Sequence, residues 1–244
     1  MFTTIGVGIG TIFKSVKGDS GGGAFEYTAI DNSFSMKFDG AGSYFDTQDV
    51  SVSGTSFSTS FWIKIDEQAH GGAFSRQQVF PAKPNNNIAN YTIGHITPRG
   101  VLTRQLLQLQ GTDNTGANPA TYTTQNINLL GTGWNHVVFT HNITTTDTYA
   151  YVNGVAQTWT AFSGTPTNVP FIKMPYTYST FRIGAFNTSE FFEGFIDEAA
   201  IFNEVLSEET IQAIYDTTSN NPGKVADLSE TPEGQPVAWY RMGD

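Results

Sequence analysis

Residues 191–215 have the sequence FFEGFIDEAAIFNEVLSEETIQAIY, and this stretch decides the fold because a strand, a turn and a short helix follow one another in it. In residues 194–202 apolar side chains occupy both alternating positions, and only Asp197 and Glu198 interrupt them. This pattern predicts a strand buried on both faces, as in a sandwich. Ser207 is then a good helix N-cap, and two glutamates follow in the first turn, where the helix dipole favours negative charge.

Most of the remaining chain has the two-residue period of half-buried strands. In residues 57–65, apolar and small polar side chains alternate, so one face is predicted to enter a core. Residues 134–140 are predicted to form a strand in which Val137 and Phe139 oppose Val138 and Thr140, and residues 147–152 are predicted to form the returning strand. Asn153-Gly154 after them is a type I′ turn signal. We therefore predict an all-β protein with one short helix near its C-terminal end, and a hairpin at Asn153.

Segments along the chain resemble, in the same order, the motifs of laminin-G-like (concanavalin A-like) jelly-roll domains. Residues 192–198, with the Leu-Ser and the glutamate pair that follow, are similar to the closing signature of that family. The other segments are a Phe-Asp-Gly strand at 35–40, a strand at 57–65, a Trp-x-His-Val-Val strand at 134–138, a Tyr-Val-Asn-Gly hairpin at 149–155 and an Arg-Ile-Gly strand at 181–184. The resemblance implies a two-sheet antiparallel jelly-roll sandwich that often uses calcium, frequently binds glycans or proteins and is usually not catalytic.

The length of 244 residues allows one large core, and we predict a single domain. Residues 1–33 are predicted to be an extended N-terminal arm, because a glycine-rich run lies inside them; a frayed end or an ordinary edge strand is the alternative. Residues 34–216 are predicted to form the jelly roll. Residues 217–244 are predicted to be a connection and a C-terminal strand completing the same domain, with Trp239 and Met242 reaching the sheet, because the terminal phrase resembles the strand that usually begins a laminin-G-like domain.

Composition argues against several classes of function. The net charge of −10 comes from few charged residues, so nucleic acid is not an expected partner. No apolar run approaches the ~20 residues of a membrane span. Residues 1–13 lack the basic start and the long apolar centre of a signal peptide, so we expect no membrane insertion. The chain has no cysteine, which excludes a disulfide framework.

Glycoside hydrolases occur on the same jelly roll, so the carboxylates need examination. A retaining enzyme of that kind needs a Glu-x-Asp-x-x-Glu pattern on one strand, which brings the nucleophile and the acid to about 5 Å. The acidic residues of the closing stretch lack this spacing: Glu190, Glu193, Asp197 and Glu198. No serine lies in a Gly-x-Ser-x-Gly elbow, and His136 is predicted to be a hydrogen-bonded sheet histidine. We predict that the protein is not an enzyme.

Calcium is the one inorganic cofactor that the resemblance implies. Asp39 and Asp197 match the aspartates of the family's FDG and IDE motifs, near which many relatives hold an ion. Calcium takes carboxylate and carbonyl oxygens in irregular loops, so both residues are candidate ligands. The alternative is that each caps a turn or accepts backbone hydrogen bonds.

Glycan binding needs exposed rings that stack on sugar faces, with hydrogen-bonding side chains nearby. The candidates in predicted loops are Phe74, Tyr122, Tyr176 and Tyr178. The alternative for each ring is packing against its own loop or against a partner subunit.

The phrase at residues 237–244, together with Leu228-Ser229, also resembles laminin-G-like structural proteins of marine tailed phages. We therefore expect a non-enzymatic virion structural protein, either a capsid decoration or a fibre component, that is made in the host cytoplasm and displayed on the virion surface. Its expected partners are other virion proteins, copies of itself in a homo-oligomer, and host or environmental glycans. The alternative is a soluble carbohydrate-binding, lectin-like module.

Overall fold

The computed structural model describes residues 25–46, 56–65, 77–81, 92–98, 105–112, 119–124, 129, 131–142, 147–161, 182–184 and 191–242. In these ranges the chain forms the strands β1 Ala29–Asp31, β2 Met36–Asp39, β3 Phe45–Asp46, β4 Ser56–Lys64, β5 Gln77–Pro81, β6 Thr92–Pro98, β7 Gln105–Thr112, β8 Pro119–Thr124, β9 Trp134–Asn142, β10 Asp147–Val152, β11 Val155–Ala156, β12 Trp159–Ala161, β13 Arg182–Ile183, β14 Glu193–Phe202, β15 Lys224–Ala226 and β16 Ala238–Tyr240, with the helix α1 Glu208–Ser219 between β14 and β15 and a 3₁₀ turn at Leu228–Glu230.

The strands form two main antiparallel sheets. The larger has seven strands in the order β11-β10-β9-β4-β14-β16, with β2 also paired to β14, and the smaller has five in the order β12-β8-β7-β6-β5. Two short pairs join β1 to β15 and β3 to β13. The predicted fold class, an all-β antiparallel jelly-roll sandwich with one short helix, is confirmed.

The larger sheet is buried on both faces at its centre. On one face Phe61 of β4 lies directly opposite Val137 of β9, and neither side chain is exposed. On the other face Phe202 of β14 packs in a hydrophobic cluster with Ile211 and Ile214 of α1. The helix therefore covers one face of the sheet, and the alternating side chains of β4, β9 and β14 supply a core on each side.

The helix begins as the sequence predicts. The Ser207 hydroxyl accepts a hydrogen bond from the backbone N–H of Thr210 at 3.2 Å, which satisfies one of the unpaired donors of the first turn. The hairpin between β10 and β11 is also confirmed, because Asn153 and Gly154 have φ angles of 52° and 79°, as a type I′ turn requires.

The predicted N-terminal arm ends earlier than residue 33. Ala29–Asp31 forms β1, which pairs with β15, and Tyr27 is buried in the hydrophobic cluster beneath α1. Residues 29–31 therefore form an edge strand, as the alternative prediction has it. They do so because they pair with β15, which follows α1, and because Tyr27 next to them packs in the cluster beneath the helix. Residues 1–24 lie outside the described part. Residues 217–237 are also more than a connection, since Ala226 and Leu228 belong to the same cluster.

The C-terminal segment completes the larger sheet. Trp239 in β16 pairs with Ala200 of β14, while β2 pairs with the other half of the same edge, where Phe38 lies opposite Gly194. Met242 follows, 9% exposed. The two strands therefore lie end to end along one edge of β14. In the part of the chain that the structure describes, no helix is long and apolar enough to cross a membrane.

Candidate functional site

A cleft of about 390 Å³ lies between the larger sheet, the C-terminal half of α1 and the segment around β15. We call it the β14 cleft, because two adjacent carboxylates of β14, Asp197 and Glu198, line it. Its aromatic lining comes from different segments of the chain: Phe34, Trp62, Trp134 and Tyr215. A cleft of a few hundred Å³ that combines apolar walls with a few convergent polar groups is typical of a ligand site.

The two carboxylates share one cleft because β14 is irregular at this point. In a regular strand, consecutive side chains point to opposite faces of the sheet. Between Asp197 and Ala200 the register of β14 against β4 shifts, and Glu198 has a φ of 51°. This geometry is that of a β-bulge, which re-aims a side chain. Glu198 therefore lines the same cleft as Asp197 instead of entering the opposite core.

A single amide connects the two carboxylates. The Asn32 side-chain nitrogen donates to Asp197 Oδ2 at 2.9 Å and to Glu198 Oε1 at 3.1 Å. The backbone N–H of Glu198 also donates to Asp197 Oδ1 at 2.8 Å. Asp197 and Glu198 are only 6% and 3% exposed, so these bonds replace most of their hydration.

Side chains of the C-terminal segment complete the hydrogen bonding of Glu198. Trp239 Nε1 donates to Oε2 at 2.6 Å, and Arg241 Nε lies 3.4 Å from Oε1. The Arg241 guanidinium also donates to the backbone carbonyl of Asp31 at the end of β1. Glu198 thus links β14 to the segment after β1 and to the C-terminal segment that contains β16.

The environment of Glu198 changes its acidity. Burial raises the pKa of its carboxyl to about 7, and the neighbouring charge of Asp197 acts in the same direction. The donors Trp239 and Arg241 favour the charged form and oppose this rise. Near neutral pH, Glu198 is therefore poised between its protonated and its ionised form.

The inner wall of the cleft is a stack of rings. Trp62 lies with its ring centroid 5.0 Å from His136 and 6.1 Å from Tyr215 of α1, with interplanar angles of 23° and 15°. His136 is fully buried, its Nε2 lies 2.8 Å from Ser60 Oγ, and burial lowers its pKa to about 3. His136 is thus the hydrogen-bonded sheet histidine that the sequence predicts, and a neutral packing group.

Next to the cleft lies a row of four side chains from neighbouring strands, of which only Trp134 lines the cleft itself. Cross-strand pairing places Lys37 of β2 opposite Phe195 of β14, Phe195 opposite Lys64 of β4, and Lys64 opposite Trp134 of β9. The Nζ atoms of Lys37 and Lys64 lie 5.7 and 5.4 Å from the Phe195 ring centroid, and Trp134 meets Phe195 edge to face at 6.4 Å. Trp134 is 39% exposed, so part of its ring faces solvent.

The two predicted calcium ligands do not converge. Asp39 ends β2 opposite Glu193, and Asp197 lies four residues farther along β14, about 13 Å at the usual rise of a strand. Asp39 Oδ1 accepts hydrogen bonds from the backbone N–H groups of the turn that follows, which hold its pKa well below the usual range: those of Ala41, Gly42 and Ser43. Among the described residues, no group of three acidic, histidine or cysteine side chains is placed to hold a metal. One ion shared by both aspartates does not fit this arrangement, and calcium stays a prediction.

The predicted glycan-binding rings remain untested. Phe74, Tyr176 and Tyr178 lie outside the described residues. Tyr122 belongs to β8, where it pairs with Leu109 and Ala161, and its side chain is not among those that the structure describes.

Most residues of the β14 cleft are absent from the predicted site. The sequence pattern points to Asp197 as a site residue but not to Glu198, Asn32 or Trp134. One signal was present, because consecutive side chains of a regular strand point to opposite faces, so in a strand that is apolar on both faces each of the two acidic residues enters an apolar layer. Asn32 and Trp134, which line the cleft together with this pair, lie far from it in the sequence.

Comparison with known proteins gives a family. The sequence model of the concanavalin A-like lectin/glucanases superfamily matches residues 39–212. No curated protein sequence matches the chain.

Solved structures share the fold at low sequence identity. A putative carbohydrate binding protein from Bacteroides ovatus is 15% identical with a TM-score of 0.50, and the match covers 90% of this chain and 53% of that one. A Trypanosoma rangeli sialidase in complex with the inhibitor DANA is 16% identical with a TM-score of 0.50, covering 77% and 28%. The binding domain of botulinum neurotoxin serotype D is 14% identical with a TM-score of 0.51, covering 78% and 45%.

Proposed function

Because the chain belongs to the concanavalin A-like lectin/glucanases superfamily, we propose that it is a non-enzymatic, lectin-like module that binds glycans at the β14 cleft. The observation that carries the proposal is the juxtaposition of a partly exposed indole, Trp134, with hydrogen-bonding side chains in one cleft. A sugar ring stacks on an aromatic face, and its hydroxyls need donors and acceptors beside it. Ser35, Thr218 and Ser219 line the same cleft and supply hydroxyls.

The similarity in fold to a putative carbohydrate binding protein supports a glycan as the class of ligand. The state of the carboxylates supports binding without catalysis. Glu198 is 3% exposed and its two oxygens accept from Asn32, Arg241 and Trp239. A glycosidase instead needs an acid and a nucleophile that both reach the bond to be cleaved.

The test is glycan-array binding by the purified chain. Binding is expected in the wild type and is expected to be lost in Trp134→Ala. Tyr149→Ala is the matched control, because Tyr149 is 46% exposed and pairs with Thr140, six residues along β9 from Trp134 and so about 20 Å away. Equal loss in both variants, or no binding by the wild type, would contradict the proposal.

The same array also tests the predicted rim. If glycans bind instead through the predicted rings, Tyr176→Ala or Tyr178→Ala abolishes binding and Trp134→Ala leaves it intact. Hydrolysis of a polysaccharide that is lost in Glu198→Gln would overturn the non-enzymatic part of the proposal.

We also propose the setting in which the module works, as a decoration or fibre component on the surface of a tailed-phage virion, where several copies act together. The sequence resemblance at residues 228–229 and 237–244 supports this setting, and repetition over copies would raise a modest affinity of each site. Quantifying the chain in purified particles tests it. A fixed number of copies per particle is expected; a chain recovered only in the unassembled fraction would favour the soluble module.

A further inference from the structure

Two aromatic side chains with large exposed surfaces line the β14 cleft, Trp134 and Phe34. Trp134 is 39% exposed and Phe34 is 61% exposed. A single exposed apolar side chain on a protein surface needs no explanation. Two such rings in one cleft, together with the hydroxyl groups of Thr218 and Ser219, form a surface suited to sugars, which stack on rings and hydrogen-bond through their hydroxyls.

The two rings belong to different strand positions, with two strands between them. Trp134 is the first residue of β9, and Phe34 lies two residues before β2. The strands follow one another across the sheet in the order β2, β14, β4 and β9. Neighbouring strands are about 4.8 Å apart, so the backbones of the two residues are separated by about 14 Å across the sheet. Phe34 is also displaced along the strands, since Lys37, which lies in register with Trp134, is three residues farther on.

The cleft is continuous between the two rings. Trp62 of β4 lies opposite Asp197 of β14, and both line the cleft, so its floor crosses the two strands that separate Phe34 from Trp134. Its volume of about 390 Å³ lies in the range of pockets that enclose a drug-sized molecule, which is larger than one sugar ring. The cleft therefore has room for a chain of sugars along the line that joins the two rings.

The backbone around Phe34 is fixed to the walls of the cleft. The Phe34 N–H donates to the side-chain oxygen of Asn32 at 3.3 Å, as in an Asx turn. The side-chain nitrogen of Asn32 donates to Asp197 and Glu198, and its backbone N–H donates to the carbonyl of Gly223 at 2.9 Å. Phe34 thus follows a turn that is bonded both to β14 and to the segment before β15. Less ordering is then needed when a ligand contacts its ring.

The charges that line the cleft favour an uncharged ligand. Among the described residues that line it, the charged side chains are Asp197, Glu198 and Lys224. Two carboxylates therefore stand against one ammonium group, and that ammonium group lies 3.5 Å from the carboxylate of Asp31. Because like charges repel, an acidic sugar is a poor candidate for this cleft, and neutral oligosaccharides are the appropriate probes.

Resting on the proposed function, we infer that the β14 cleft binds a run of several uncharged sugar residues of one glycan chain, with one sugar on Trp134 and another on Phe34. A single terminal sugar contacts only one of the two rings, so it gains only one stacking interaction. The hydroxyls of Thr218 and Ser219 are available to the sugars along the chain, because a hydroxyl can donate and accept more than one hydrogen bond. Affinity therefore depends on the length of the chain.

The experiment measures the affinity of the full protein against the length of the sugar chain. Isothermal titration calorimetry is carried out with cello-, manno-, xylo- and laminari-oligosaccharides, each from the monosaccharide to the hexasaccharide. If only another glycan of the array binds, progressively shortened forms of that glycan are measured in the same way. Affinity is expected to rise by about tenfold at the length that reaches both rings, because a second stacking contact is then gained, and to stay level beyond it.

Variants of Phe34 assign the dependence on length to the second ring. In Phe34→Ala the rise in affinity with length is expected to disappear, whereas Phe34→Tyr keeps a ring and keeps the rise. Both variants should unfold at the wild-type temperature, since Phe34 is 61% exposed. Equal affinity for the monosaccharide and the hexasaccharide, or a rise with length that persists in Phe34→Ala, would overturn the inference and leave glycan binding standing. Binding of none of these oligosaccharides nor of any array glycan would overturn both.

Discussion

Replacing Glu198 with glutamine is expected to change how stability depends on pH. Burial and the charge of Asp197 raise the pKa of Glu198 from 4.5 to about 7. At 1.36 kcal/mol for each tenfold change in proton affinity, this rise corresponds to about 3 kcal/mol. The side chain is only 3% exposed, so solvent screening reduces this figure little.

The sign follows from proton binding. The folded protein holds the Glu198 proton more tightly than the unfolded chain does, so the stabilisation is fully present below about pH 4.5 and is lost as the pH rises through about 7. His136 acts in the opposite direction, because its pKa falls from 6.5 to about 3 on burial, which costs stability as the pH falls below 6.5. Between pH 4.5 and 6.5 the two effects nearly cancel in the wild type, so its own stability profile conceals both.

The assay therefore compares wild type with Glu198→Gln, since the contribution of His136 is common to both proteins. Urea unfolding followed by tryptophan fluorescence gives the free energy of unfolding at intervals from pH 4 to pH 8. Relative to the variant, the wild type is expected to lose about 3 kcal/mol over this range. The carboxyl ¹³C chemical shift of Glu198 should titrate with a midpoint near 7. A difference in unfolding free energy that stays constant with pH would refute the reasoning.

Further outcomes follow from other sites. Relative to His136→Gln, the wild type should lose up to about 5 kcal/mol of unfolding free energy as the pH falls from 6.5 to 3. If the unfolding free energies of the two proteins instead change with pH in parallel, the buried imidazole of His136 is not held neutral. Gly184→Ala should lower the free energy of unfolding by about 3 kcal/mol or more, because the φ of Gly184 is 90° and an added Cβ would lie 2.3 Å from the Phe38 ring of β2. Gly131→Ala is the control: its φ is 67° but open space surrounds it, so the same denaturation assay should show a loss of only about 1 kcal/mol. If the predicted calcium ion is held by Asp39 or Asp197, EDTA should lower the melting temperature of the wild type, and Asp39→Asn or Asp197→Asn should reduce that shift; an unchanged melting temperature removes calcium.

Local signals in the sequence were sufficient for much of the fold. The alternation in residues 57–65 predicts β4, Ser207 predicts the start of α1, and Asn153-Gly154 predicts the hairpin, because each depends on a short-range rule about side-chain direction or φ. The pairing of β1 with β15 lies beyond such rules. Each strand has only three residues, and their partnership is set by packing beneath α1.

The site was harder to predict than the fold for a related reason. A two-residue period assigns Asp197 and Glu198 to opposite faces, and only the register of the neighbouring strand reveals the bulge that brings them together. The other members of the cleft, such as Asn32, Trp62 and Tyr215, meet through the topology of the sheet and helix. No spacing in the sequence predicts that these residues lie close together.

The β-bulge at Glu198 links the docking of β16 on β14 to the shape of the cleft. A glutamate with a φ of 51° costs about 1–3 kcal/mol, and burial of its charge adds to that cost. Hydrogen bonds from Asn32, Trp239 and Arg241 to the Glu198 carboxylate offset this cost. Each bond to a charged group contributes about 1.5–3 kcal/mol to stability. These donors come from the segment after β1 and from the segment that contains β16, so the bulge is stable only when both segments are in place. A ligand that binds the assembled cleft must therefore also stabilise the docking of β16 on β14, since it binds only the state in which that docking has occurred.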